Sequence, residues 1–164
     1  MYQPQVGNLI NDGKPIYLAT TGRKLFELSQ WWEFKDHLDR VWVVPSGFIY
    51  DLASIPPWLW WLQFGTWNIA AVPHDWAYVF GYLLRVDNGK LVQVKSTKKE
   101  SDRIFADVNL TVSTPKWRVR LMYWAVRLFG RGVWSKPSEK WDKYGKTLAQ
   151  LQQEFEARTN NNIA

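Results

Sequence analysis

The hydrophobic pattern of the chain changes character about a third of the way along. Before residue 51 it comes in short bursts rich in β-branched and aromatic residues. "KPIYLAT" and "KLFELSQWWEF" flank a turn-like "TTGR", and "RVWVVP" and "GFIYD" follow, with "KDHLD" and "SG" as polar breaks. This pattern predicts three or four antiparallel strands in short hairpins.

After Asp51 the spacing becomes helical. Ser54 before Ile55-Pro56-Pro57 is a cap followed by proline in the first turn, which predicts a short helix through "WLWWLQ" ending near Gly65. A second helix is expected through "HDWAYVFGYLL", with Pro73 in its first turn or kinking it. "RVDNGKLVQVKS" has the form of a hairpin, because Asp87-Asn88-Gly89 tolerates positive φ between two β-prone runs. Helices are expected again over "ESDRIFADVNLTVS" and, after Pro115, over "KWRVRLMYWAVRLFG". In the latter, Val119, Met122, Val126 and Phe129 make a core stripe, and Gly130 is a stop. A polar helix, "KWDKYGKTLAQLQQEFEAR", and a disordered-looking "TNNNIA" close the chain. The expected fold class is α+β, with N-terminal antiparallel strands followed by a bundle of about four to five helices. One domain is expected over 1–164: mainly β over 1–51, helical with a small hairpin near 85–96 over 52–134, and a polar helix and tail over 135–164.

Composition narrows the function classes. The 164 residues are 46% hydrophobic and 22% charged, which suits an ordinary globular core. Cysteine is absent, so disulfides and thiolate metal sites are excluded. Twelve tryptophans accompany a formal net charge of +6, a combination suited to an anionic or interfacial partner or, more simply, to an indole-filled core with a soluble basic surface. The N-terminus lacks the features of a signal peptide, and the most apolar window is broken by Gln63, Gly65 and Asn68. No transmembrane segment is expected, therefore, and synthesis in a reducing cytoplasm fits the absence of cysteine.

Several polar residues interrupt apolar context. Asp51 ends a strand just before the Ser54 cap. His74 and Asp75 open a helix, and Tyr78 lies one turn after His74. Asp107 sits among Phe105, Ala106 and Val108, one turn after Arg103. If the helices pack side by side, His74 acts as a base, Asp107 orients it, and Asp75 and Asp51 hold a hard cation such as Ca²⁺. Each residue also has a plainer role: His74 hydrogen-bonded in the core, Asp75 favoured by the helix dipole, Asp51 as a cap, Asp107 paired with Arg103. Ser54, His74 and Asp107 occur in triad order, but Ser54 lacks a nucleophile elbow and is better explained as a cap. His37, in a charged turn, is given no role.

"VPSGFIYDLASIPPWLW", "AAVPHDWAYVFG", "SDRIFADVNL" and "RLMYWAVRLFG", in that order, resemble the signature of a phage and prophage family known as domain-of-unknown-function family 1353. The resemblance covers roughly residues 44 to 134. It implies a phage or prophage origin and brings no activity with it. "HDWAYVFG" followed by Arg103-x-x-x-Asp107 also resembles the His-Asp helix motif of phospholipase A2. That resemblance implies His74 as base, Asp75 as calcium ligand, Tyr78 as supporting hydroxyl and Asp107 as the orienting aspartate.

Two functions remain open at this level. One is a metal-assisted hydrolase of a lipid ester or cell-envelope polymer, with Trp58, Trp60, Trp61 and Trp67 as an interfacial rim. The other is a non-catalytic virion, tail or assembly protein whose polar cluster is structural and whose partners are other phage proteins. Nucleic-acid binding through Arg118, Arg120, Arg127 and Arg131 has charge without a recognised module and ranks last.

Overall fold

The structure, a computed structural model, describes residues 2–20, 23–51, 67–130, 134 and 146–161. The expected Ser54-capped helix through "WLWWLQ" lies outside them, as do Ser54 itself and Trp58, Trp60 and Trp61. The side chains of Asp51 and Trp67 also lie outside them.

Six strands precede the first described helix: β1 (Asn8–Asp12), β2 (Pro15–Thr20), β3 (Arg23–Leu28), β4 (Trp32–Lys35), β5 (Val41–Val44) and β6 (Ile49–Asp51). They are followed by α1 (Trp67–Phe80), β7 (Tyr82–Asp87), β8 (Lys90–Lys95), α2 (Lys98–Thr111), α3 (Lys116–Phe129) and α4 (Leu148–Asn161). The α+β class holds, with more strands than the pattern suggested.

"KLFELSQWWEF" is not one strand. It breaks at Ser29 and Gln30, so β3 joins a three-stranded antiparallel sheet, β2-β3-β6, while β4 joins a five-stranded sheet ordered β1-β4-β5-β7-β8. The Leu28 amide bonds to Phe48 O at 3.0 Å, and its carbonyl takes the Gly47 amide at 2.7 Å, which ties the break to the turn before β6. The expected hairpin is real, with Asn88 at φ 50° and Gly89 at φ 76°, the two positive values a tight two-residue turn requires. It is not an isolated unit, however, because β7 pairs with β5 and extends the five-stranded sheet.

Burial follows position in that sheet. In β4, Trp32 and Phe34 are buried and alternate with half-buried Glu33 and Lys35, while in the central β5 Trp42, Val43 and Val44 are all buried. The helices complete the core: Trp76 and Val72 of α1, Phe105 and Val108 of α2, Met122 and Val126 of α3, and Leu151 of α4 all join one buried cluster with the strands. At the far edge of the sheet α4 closes over β8, where the Leu91 amide donates to Gln152 Oε1 at 2.6 Å.

Helix boundaries depart from expectation in three places. α1 starts at Trp67, before the expected "HDWAYVFGYLL", which places Pro73 inside the helix and not in its first turn. That helix ends before Gly81, whose φ of 71° turns the chain directly into β7, so "GYLL" is not helical. Thr159 to Asn161 continue α4 and do not begin a loose tail. In α3, Val119, Met122 and Val126 are buried as the stripe required, but Phe129 is 46% exposed and does not belong to the core.

Candidate functional site

α2 begins at Thr97, whose hydroxyl takes the Glu100 amide while the Glu100 carboxylate takes the Thr97 amide, a reciprocal cap that fixes the first turn. That turn presents Lys98 and, one turn on, Asp102. α1 packs against α2, and α2 against α3, so His74 and Tyr78 of α1, Lys98 and Asp102 of α2 and Arg127 of α3 meet between three helices.

Asp102 is the hub. It is wholly buried. Its Oδ1 accepts the Tyr78 hydroxyl at 2.8 Å and lies 3.3 Å from His74 Nε2. Its Oδ2 accepts from Lys98 Nζ and from Arg127 Nη1, both at 2.9 Å. Lys98 Nζ donates further to the carbonyls of Val126 at 2.8 Å and Arg127 at 3.3 Å near the end of α3, where the helix dipole also favours a cation. On the other side of the imidazole, His74 Nδ1 is 3.0 Å from Asp75 Oδ1. The ring stacks on Tyr78 at 4.1 Å between centroids and meets Phe105 at 5.3 Å.

The protonation of these groups follows from their neighbours. Burial opposes charge on His74, but the Asp102 and Asp75 carboxylates outweigh it and hold the imidazole above its ordinary value. Burial likewise opposes the Asp102 carboxylate, yet His74, Lys98 and Arg127 bring it down to about 2. Burial and the Asp102 charge raise Tyr78, which stays a hydroxyl donor. The result is an imidazole set between two carboxylates that favour its protonated form, with the Lys98 ammonium and the Arg127 guanidinium completing the neutralisation of Asp102. The Nε2 contact is close enough for an ion pair but lies off the line of a hydrogen bond.

Asp107, the expected partner of His74, is not in this cluster. It lies five residues beyond Asp102, which is about 140° around the helix at 3.6 residues per turn. It is engaged instead by the N-terminal segment: the Tyr2 hydroxyl and the Gln5 amide both donate to its Oδ1, the latter at 2.7 Å. Burial raises the Asp107 carboxyl, and those two donors partly offset the effect. Arg103 does not pair with Asp107. Its guanidinium stacks over the Tyr2 ring, 4.9 Å from the centroid. Tyr2, Arg103 and Asp107 line a cavity of about 310 Å³ between α2 and β5, β7 and β8, together with Arg40, Lys95 and Glu100; His74 is not among its lining residues. His37, exposed, also lines it.

The expected cation pair, Asp75 with Asp51, includes a side chain outside the described residues. Asp75 directs one oxygen at His74, and Asp51 ends β6 opposite Leu25. Among the described residues no group of three or more His, Asp and Glu side chains is placed to hold a metal ion. Asp102, Lys98 and Arg127 are the site residues that sequence reasoning missed, Arg127 having been read only as a basic surface residue. Lys98 precedes Asp102 by four residues, the spacing of a helical ion pair, and that was the available signal.

Comparison with known proteins gives a family and no activity. Residues 26–126 match the family model described as "Protein of unknown function (DUF1353)". The chain is 32% identical over 115 residues to "Uncharacterized protein y4jT" of Sinorhizobium fredii (strain NBRC 101917 / NGR234). That match covers 70% of the present chain and 31% of the relative, so the chain spans less than a third of that protein's length. No solved structure matches it significantly. No described helix is long and apolar enough to cross a membrane.

Proposed function

We propose that this chain, which belongs to the DUF1353 family of proteins of unknown function, is a non-catalytic assembly protein in which the His74 cluster fastens three helices together. The phage setting comes from the motif resemblance noted in the sequence. One observation carries the reading: both ring nitrogens of His74 face carboxylates, Nδ1 toward Asp75 at 3.0 Å and Nε2 toward Asp102 at 3.3 Å. A general base needs one nitrogen on an orienting carboxylate and the other open to the proton it removes. Here the imidazole is 2% exposed and is held toward its protonated form. Calcium chemistry fits Asp102 no better, since Lys98 and Arg127 already occupy the oxygen that a cation would take.

The hydrolase alternative makes an opposite prediction and is tested directly. The purified protein is assayed on a soluble ester, on phospholipid vesicles and on cell-wall fragments, with and without Ca²⁺, beside His74→Gln. Turnover no higher than that of His74→Gln is expected throughout. Hydrolysis by the wild type that disappears in a His74→Gln protein of unchanged stability would refute the assembly reading.

A further inference from the structure

The outward face of α3 is built like a surface made to be covered. Trp117, Leu121, Trp124 and Leu128 are 54%, 46%, 46% and 60% exposed, respectively. Their spacings of four, three and four residues confine them to an arc of about 60° at 3.6 residues per turn. Val119, Met122 and Val126 occupy the opposite face and are buried in the core. The outer stripe is therefore a second apolar face, separate from the one that folding uses.

Charge selects the occupant. The helix sequence KWRVRLMYWAVRLF holds four basic residues and no acidic one. Arg127 is turned toward Asp102, but Lys116 and Arg120 run along one flank of the stripe and Arg118 along the other, with its guanidinium 5.5 Å from the centre of the Trp117 ring. A second copy of the same face would set cations against cations, which disfavours self-association. Indole rings beside long cationic side chains suit the boundary between lipid headgroups and acyl chains, where the rings sit at headgroup depth and the cations reach outward to phosphate.

We propose that this face of α3 docks the protein on an anionic lipid bilayer. The inference is independent of the role of the His74 cluster.

The test is co-sedimentation of the full chain with phosphatidylcholine vesicles, with and without phosphatidylglycerol, at low and high salt. Binding is expected only with phosphatidylglycerol and is expected to weaken as salt rises. Lys116→Gln and Arg120→Gln should each weaken partitioning about fivefold, the usual effect of one basic residue near an anionic surface. Leu121→Gln combined with Leu128→Gln should abolish binding with little change in the urea midpoint, because both side chains are already about half in water and Gln is a good helix former that adds no charge. Three results would overturn the proposal. The wild type stays in the supernatant with phosphatidylglycerol vesicles; the double variant sediments as well as the wild type, which would move the contact to another part of the chain; or the wild type is a dimer that the double variant converts to monomer, which would make a second copy the occupant.

Discussion

Replacing Asp102 by Asn separates the charge of the helix cluster from its shape. The amide keeps nearly the same volume, so packing around the fully buried position is preserved while the negative charge is lost. Lys98, Arg127 and His74 then face a neutral group. Removing one partner from a buried ion network costs about 3–5 kcal/mol, because the remaining charges stay desolvated. The lower end applies here, at about 3 kcal/mol, because Lys98 keeps the Val126 and Arg127 carbonyls and the Arg127 side chain is a quarter exposed. The pKa route gives a similar size: bringing Asp102 from 3.8 to about 2 corresponds to about 2 kcal/mol of stabilisation at neutral pH.

Urea unfolding followed by tryptophan fluorescence measures this loss, and its pH dependence tests the cause. His74 is raised in the folded state, so its contribution is complete below its unfolded value of about 6.5 and is lost as pH rises through the folded value. Asp102 is lowered, so its contribution is present above about pH 4 and is lost as pH falls toward about 2. Wild-type stability should therefore decline on both sides of a plateau between about pH 4 and 6.5. Asp102→Asn should make the alkaline decline shallower, because His74 keeps only Asp75. A loss under about 1 kcal/mol, or an alkaline decline unchanged in the variant, would refute the network as drawn.

Two further substitutions test the supports of the cluster. A Cβ on Gly130 would lie 2.5 Å from the Tyr78 hydroxyl and 2.6 Å from the Val126 carbonyl, and Tyr78 cannot retreat without releasing Asp102. Gly130→Ala should therefore destabilise by about 1–3 kcal/mol, and a urea midpoint equal to that of the wild type would contradict this. Thr97→Ala removes one half of the α2 cap and should cost about 1 kcal/mol, with Thr97→Ser restoring most of it in the same assay.

The fold class was legible because burial in the sheet follows the alternation of strands such as β4, and α3 carries a clear helical stripe. The strand count was not, because "KLFELSQWWEF" is apolar on both sides of its break and only the pairing of Leu28 with Phe48 reveals two sheets. Phe129 was misplaced since helical spacing gives only an angle: it lies within about 20° of Met122 around α3, but it is the last residue of the helix and is 46% exposed there. In the site, His74, Asp75 and Tyr78 stood out against apolar neighbours. Asp102 did not, because it follows Lys98, Lys99, Glu100 and Ser101, and such a run usually marks a solvated first turn. Asp107 looked more buried by context, and it is buried, but beneath Tyr2 and Gln5, residues a hundred positions away.

The contact between Gln152 and the Leu91 amide bears on aggregation. β8 ends the five-stranded sheet, and the outer edge of such a strand is a template onto which any extended chain can hydrogen-bond. The side chain from α4 takes one of those donors, and Lys90 and Lys95 place a charge at each end of the strand. The C-terminal helix therefore guards solubility as well as the core. A chain clipped before Leu148 would lose Leu151 and Phe155 from the interior and, in the same event, uncover a sheet edge able to recruit another molecule.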